Sequence, residues 1–229
     1  MSITAILTDI EGTTTDLAFV KDILFPFAAR ELPAFVRTHQ ADQQVASLLN
    51  DSRQEMQRLD ADLEEVIDAL LTWIAKDRKI TPLKQLQGLI WEHGYTSGEL
   101  HAHVYPDAYD SLKRWHAQGY GLYVFSSGSV RAQKLLFRYA NQGDMSSWFK
   151  DYFDTLTGAK READAYRIIA KHMNVPVAQI LFLSDITEEL DAAHTAGMQT
   201  CQLVRGEVPK NSQHKQVQRF DQIPLGDDT

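Results

Sequence analysis

The sequence predicts an α/β protein: an open parallel sheet flanked by helices, interrupted early by an all-helical insertion. Three observations carry this. Four short apolar runs that do not alternate with polar residues, Ile3–Thr8, Gly121–Phe125, Ile180–Ser184 and Gln199–Val204, have strand length and suit strands covered on both faces. Amphipathic stretches at Asp107–Gln118, Val130–Tyr139, Glu162–His172 and Ile186–Ala196 alternate with the later runs. Between the first run and about Tyr105 the pattern is helical almost throughout.

The first strand, Ile3–Thr8, ends directly in Asp9-Ile10-Glu11-Gly12-Thr13-Thr14-Thr15. In the helical interval Leu48, Leu49, Met56, Leu59, Leu63, Val66, Ile67, Leu70, Leu71 and Ile74 recur at threes and fours. Pro26, Pro33 and Pro82 are expected to start or break helices, and Gly94, Gly98 and Pro106 mark the return to the sheet pattern. The core is therefore expected to be discontinuous, residues 1–15 with 106–229 around an insertion at 16–105. No internal repeat or low-complexity tract is present. The polar stretch from Gly206 to Thr229 is expected to be irregular, with mobile last residues.

The 229 residues are 44% hydrophobic and 24% charged, which fits a globular chain with ample core. A net charge of −8 argues against nucleic-acid or anionic-membrane partners, which need concentrated Lys and Arg. It leaves a small anionic substrate open, because a metal ion and a few placed cations reverse the potential locally. Cys201 is the only cysteine, so neither an intrachain disulfide nor a thiolate metal cluster is expected. Met1–Thr8 lacks a signal-peptide pattern, and no apolar run approaches the ~20 residues of a membrane span. A soluble cytoplasmic protein is expected.

Chemistry gathers at strand ends. Two acids two residues apart, Asp9 and Glu11, leave a buried strand on the same side, where a divalent cation would remove their mutual repulsion. Magnesium suits one or two carboxylates, waters and a phosphate oxygen. Ser126-Ser127-Gly128-Ser129 follows the second run and precedes a helix, an arrangement that offers hydroxyls and free N–H groups to an anion. Asp185 ends the third run, with Glu188 and Glu189 close behind. Lys160 precedes a helix and could hold a phosphate as a point charge. Each feature alone has an ordinary reading as a solvated acid, a helix cap or a surface lysine. Acid pair, hydroxyl, lysine and acid in this order, three of them directly after apolar runs, point to one site along one sheet edge. His101-Ala102-His103 has metal-pair spacing but no cluster of further ligands, so packing is its expected role. Trp73, Trp91, Trp115 and Trp148 are expected to pack the core and the insertion.

These residues resemble the haloacid-dehalogenase-like superfamily, whose first motif, Asp-x-Asp-x-Thr, here reads Asp9-Ile10-Glu11-Gly12-Thr13. Glutamate at the second acid, together with the segments Phe19–Pro26, Asp77–Gly88, Phe125–Val130, Gln133–Phe137 and Leu183–Asp185, is similar to the enolase-phosphatase family. The likeness thins beyond Arg205. It implies a Rossmann-like core and a helical cap that closes as a lid. It implies a substrate, 2,3-diketo-5-methylthiopentyl-1-phosphate, that is enolised and then dephosphorylated to an acireductone in methionine salvage. By resemblance, Asp9 is the nucleophile and Glu11 the general acid and base. Asp9, Asp185 and the Glu11 carbonyl hold one Mg2+, and Ser126, the Ser127 amide and Lys160 bind phosphate. The enolisation base is left open, with Glu11 the first candidate. Nothing demands an oligomer, and a monomer is expected. Alternatives are a simple phosphomonoesterase of the superfamily, a metal-independent dehalogenase, and a binding protein on a retired scaffold. Retirement would remove an acid, yet Asp9, Glu11 and Asp185 are all present.

Overall fold

The computed structural model describes residues 2–206, 212–223 and 225. The chain divides into two compact units, Met1–Leu17 with Ala102–Thr229, and Ala18–His101. The second unit is helical. A π-helical stretch at Phe19–Leu24 runs into α1 (Phe25–His39), followed by α2 (Gln43–Glu55), α3 (Leu63–Ala75) and α4 (Thr81–Ser97). Its core is the apolar stripe of each helix, with Leu32, Val36, Leu48, Val66, Leu70 and Leu86 buried. Pro26 and Pro82 occupy first turns, where a missing N–H costs nothing. Pro33, expected to start or break a helix, lies inside α1. Buried Phe27, Ala28 and Leu32 before it and Val36 after it anchor both halves, which offsets the ~3 kcal/mol an interior proline costs. Leu59, counted in the helical periodicity, is 74% exposed in the turn between α2 and α3. There the Asp62–Glu65 capping box, rather than the apolar spacing, sets where α3 begins.

In the first unit β1 (Ala5–Thr8) is followed by α5 (Pro106–Ala117), β2 (Gly121–Phe125), α6 (Val130–Arg138) and β3 (Phe149–Phe153). Then come α7 (Ala163–Met173), β4 (Ile180–Ser184), α8 (Thr187–Ala196), β5 (Gln199–Leu203) and β6 (Lys215–Val217). The described strands form one six-stranded sheet of order β3-β2-β1-β4-β5-β6, and every pairing is parallel. β1, β2 and β4 are buried at every residue, as their unbroken apolar runs require. Leu7, Phe125 and Phe182 pack with Tyr166 and Ile169 of α7 and Leu190 of α8. The alternating residues Ile6, Leu122, Val124 and Leu183 are buried as well.

Two strands escape the sequence pattern. β3 is an edge strand with Lys150 exposed and Asp151 half-buried, so its apolar residues are interleaved with charge. β6 is three residues long and falls in the stretch expected to be irregular, as does Phe220, which is buried against Trp115 with ring centroids 5.8 Å apart. The last residues, expected to be mobile, lie outside the described residues. No described helix is long and apolar enough to cross a membrane.

Candidate active site

The chain leaves β1 to build β2 and β3 on one side, then returns to build β4, β5 and β6 on the other. This reversal opens a crevice between the carboxyl ends of β1 and β4, where open α/β sheets bind ligands. Asp9 follows β1, and its N–H donates to the Leu183 carbonyl at 2.8 Å. Asp185 follows β4, and its N–H donates to Thr13 Oγ1 at 3.0 Å; that hydroxyl faces Asp185 Oδ1 at 3.4 Å.

The turn after Asp9 is held by its own main chain. The N–H groups of Thr13, Thr14 and Thr15 all donate to the Ile10 carbonyl, and Gly12 N–H donates to Thr15 O at 2.9 Å. Thr14 Oγ1 donates to the carbonyls of Asp9 and Ile10 at 3.3 and 3.2 Å. The threonines thus brace the turn. Gly12 has φ +72°, and a Cβ there would run into the Asp185 carboxylate, so glycine is required both by the backbone and by the neighbour. Glu11 stands in this turn, bridged through its main chain to Thr15.

Lys160 reaches in from the loop ahead of α7. Its Nζ lies 2.6 Å from Asp9 Oδ1 and 2.7 Å from Glu189 Oε2, with only 7% of the side chain exposed. Tyr166 OH donates to the Lys160 carbonyl at 2.7 Å, and Ser184 Oγ donates to Glu189 Oε2 at 3.0 Å. Burial works against the lysine's charge, but Asp9 and Glu189 together raise its pKa. Glu189 is pushed up to about 7, because burial and the nearby Asp9 charge outweigh its pairing with Lys160. One cation cannot fully balance two buried carboxylates.

Ser126 follows β2 and is buried, its Oγ accepting the Gly128 N–H at 3.2 Å. The loop Ser126–Ser129 is tied to β3 by Ser126 N–H on Phe153 O at 3.2 Å and by Gln133 Nε2, which donates to Gly128 O and Phe153 O at 2.8 and 2.9 Å. Ser129 caps α6 by accepting the Ala132 N–H at 3.3 Å. Ser127 is half-buried between them.

Asp9 and Lys160 are therefore in direct contact. Asp185 meets the same turn through Thr13, and Ser126 stands at the next strand end. Glu189 was passed over as a site residue. Its signal was present: four residues after Asp185, in the first turn of a helix, it faces back toward the strand end. Asp107 and Arg205 were also missed. Arg205 Nη1 donates to Asp107 Oδ1 and Oδ2 at 3.0 and 2.8 Å, and nothing local in the sequence marks that pair. His101 is exposed, whereas His103 Nδ1 accepts the Asp16 N–H at 3.1 Å and sits 3.1 Å from Thr15 Oγ1. A cavity of about 260 Å3 beside Asp185 is lined by Gly12, Asp16, Tyr105, Gln202 and Arg205 among others.

The donor set can be tested against a magnesium ion. Burial and the facing Asp9 carboxylate push Asp185 up to about 6, which marks a place short of positive charge. Among the described residues no three Asp, Glu, His or Cys side chains converge on one point, so further ligation must come from main-chain oxygen and solvent. Two carboxylates with a carbonyl and open positions suit magnesium, which keeps several waters. The residues fit the ion.

A family model described as haloacid dehalogenase-like hydrolase matches residues 3–197. The protein named Enolase-phosphatase E1 in Pseudomonas syringae pv. syringae is 60% identical over 205 residues, 90% of each chain. Its namesake in Pectobacterium atrosepticum is 52% identical over 223 residues, 97% of each chain. The crystal structure of the UTR4 protein from Saccharomyces cerevisiae superposes with a TM-score of 0.84 at 35% identity, covering 96% of this chain and 100% of that one. The likeness runs over almost the whole length, and the chain belongs to the enolase-phosphatase E1 family of haloacid dehalogenase-like hydrolases.

Proposed function

We propose that this enzyme converts 2,3-diketo-5-methylthiopentyl-1-phosphate to an acireductone and inorganic phosphate, by enolisation followed by transfer of the phosphoryl group to Asp9. The observation that carries the reading is the buried contact of Lys160 with Asp9 at the carboxyl end of β1, across the switch crevice from Asp185. Likeness to proteins named Enolase-phosphatase E1 supports it over a general phosphomonoesterase.

Lys160 engages one oxygen of Asp9, which orients the carboxylate for attack through the other. As the bond from Asp9 to phosphorus forms, the bond from phosphorus to the C1 oxygen of the enolised substrate breaks, leaving an acyl phosphate and, once that oxygen is protonated, the acireductone. Water then attacks phosphorus, frees phosphate and restores Asp9, so that one difficult hydrolysis becomes two easier transfers. Glu11 gives a proton to the departing oxygen and takes one from the water. Ser126, the Ser127 N–H and Lys160 bind the phosphoryl oxygens. The carboxylates of Asp9 and Asp185 and the carbonyl of Glu11 would hold one Mg2+, which when bound neutralises phosphoryl charge. For enolisation a base must remove a carbon-bound proton, and Glu11 is the first candidate.

On this reading Met1–Leu17 with Ala102–Thr229 is the catalytic core, and the helical unit Ala18–His101 is the cap. The enzyme acts in the cytoplasm as a monomer on a small phosphorylated diketone; a dimer mass in light scattering would overturn the monomer. Phosphate release and enol absorbance are followed together on the diketo phosphate, with Mg2+ added or chelated. Wild type should give both signals with Mg2+, whereas Asp9→Asn should release no phosphate. Loss of the enol signal in Glu11→Gln would support Glu11 as the base. Release from simple phosphomonoesters but not from this compound would sink the assignment.

A further inference from the structure

Arg205 stands two residues past the end of β5, outside every motif that suggested the site. Its Nη1 donates to both oxygens of Asp107 at 3.0 and 2.8 Å and to Gln218 O at 3.3 Å, and its Nη2 donates to Thr13 O at 3.0 Å. The guanidinium carbon lies 4.0 Å from the centroid of the Tyr105 ring. Nε is buried without a hydrogen-bond partner among the described residues, so the Nη bonds and the Tyr105 and Phe220 rings set the orientation of the group. Asp107 is anchored in turn: it lies in the first turn of α5, and its Oδ2 also accepts the Phe220 N–H at 2.8 Å.

Thr13 is where this clamp meets the chemistry. Its carbonyl takes Arg205, while its hydroxyl accepts the Asp185 N–H at 3.0 Å and faces Asp185 Oδ1 at 3.4 Å. The last contact is long, so a small rotation of Thr13 would break it. Gly12, the preceding residue, has no room for even a Cβ against the Asp185 carboxylate, so movement of the turn passes directly to that carboxylate. The main chain of Asp185 is held independently by Gln202 Nε2 on its carbonyl at 2.9 Å. What the clamp controls is therefore the direction of the carboxylate.

We infer that Arg205, fixed by Asp107, is a positioning residue that aims the Asp185 carboxylate through Thr13 and so sets the affinity of the site for Mg2+. The inference rests on the proposed role of Asp185 as a metal ligand. Replacing both members of a buried ion pair by well-packed apolar residues often costs little stability, so a pair this elaborate is better explained by orientation. Lysine cannot replace it, because a point charge does not reproduce the planar fork that reaches Asp107 and Thr13 together.

The test is calorimetric titration of Mg2+ into metal-free wild type, Arg205→Lys and Arg205→Met, with melting temperatures alongside. Partners of this kind typically change metal affinity about 10- to 100-fold, and a weakening in that range is expected in both variants. The Mg2+ concentration for half-maximal phosphate release should rise by the same factor, with turnover largely recovered at saturating Mg2+. Arg205→Met discriminates by sign: loss of a nearby cation on its own would tighten Mg2+ binding, whereas loss of aim weakens it. Unchanged or tighter binding in the variants overturns the inference. So does failure of both to fold, which would make Arg205 a pillar of the fold. If wild type itself does not bind Mg2+, the metal reading is what fails, and this inference falls with it.

Discussion

Lys160 lies between two buried carboxylates, and that placement fixes what its loss would do. In Lys160→Met, Asp9 and Glu189 would face each other without a cation, a change expected to cost about 3–5 kcal/mol. Urea denaturation should show that loss, and phosphate release should be abolished. Adding Glu189→Gln removes one of the stranded charges, so the double variant should regain much of the stability while remaining inactive. Equal stability of single and double variants would show that Glu189 is not held by Lys160. His103 gives a pH dependence. Burial lowers its pKa, with Arg205 acting the same way and Asp16 opposing, and its Nδ1 must stay unprotonated to accept the Asp16 N–H. A histidine with a depressed folded pKa contributes stability that is full above its ordinary value near 6.5 and is lost as pH falls through the folded value. The melting temperature should fall on acidification through that window, and His103→Gln should lack this part of the fall. At this scale the strand-end positions of Asp9, Ser126 and Asp185 were legible, because an apolar run that stops at a polar residue marks a strand exit. The partnership of Arg205 with Asp107 was not, since two charges so far apart in sequence leave no local pattern.

The turn between Asp9 and Thr15 is the element with least tolerance. Gly12→Ala should cost about 1–2 kcal/mol for the left-handed backbone alone. It should cost phosphate release far more, because the added methyl displaces Asp185; near-normal activity would show that the carboxylate can move aside. The start of α3 is a milder case. Asp62→Ala removes the carboxylate that accepts the Glu65 N–H, one half of a capping box, and should lower stability by about 1 kcal/mol in thermal or urea unfolding, with catalysis unchanged. Elements buried on both faces, β1, β2 and β4, announce themselves as unbroken apolar runs. β3 does not, because an edge strand carries charge on its open side, and β6 is too short to show a period. Pro33 misleads for a related reason: local propensity favours a break, but apolar residues packed on either side keep α1 continuous.

Across the molecule, alternation of apolar runs and amphipathic stretches made the fold class readable, whereas strand order was not, because a run of leucines and valines carries no address. The order β3-β2-β1-β4-β5-β6 is a property of the chain as a whole. Cys201, in β5 of the described sheet, reports on that whole. It is the only cysteine, and burial pushes its thiol up to about 11. Alkylation at pH 8 should therefore be slow in the native protein and fast in urea; equal rates would mean that β5 opens freely under native conditions. The central position of β1 bears on biosynthesis. β1 pairs with strands that begin at Gly121 and Ile180, yet it leaves the ribosome before either, with the helical unit Ala18–His101 emerging in between. That unit can close its own apolar core while β1 still has nothing to pair with, since domains fold as units during translation. A polypeptide stalled ahead of β4 would already carry Asp9 and still be catalytically silent.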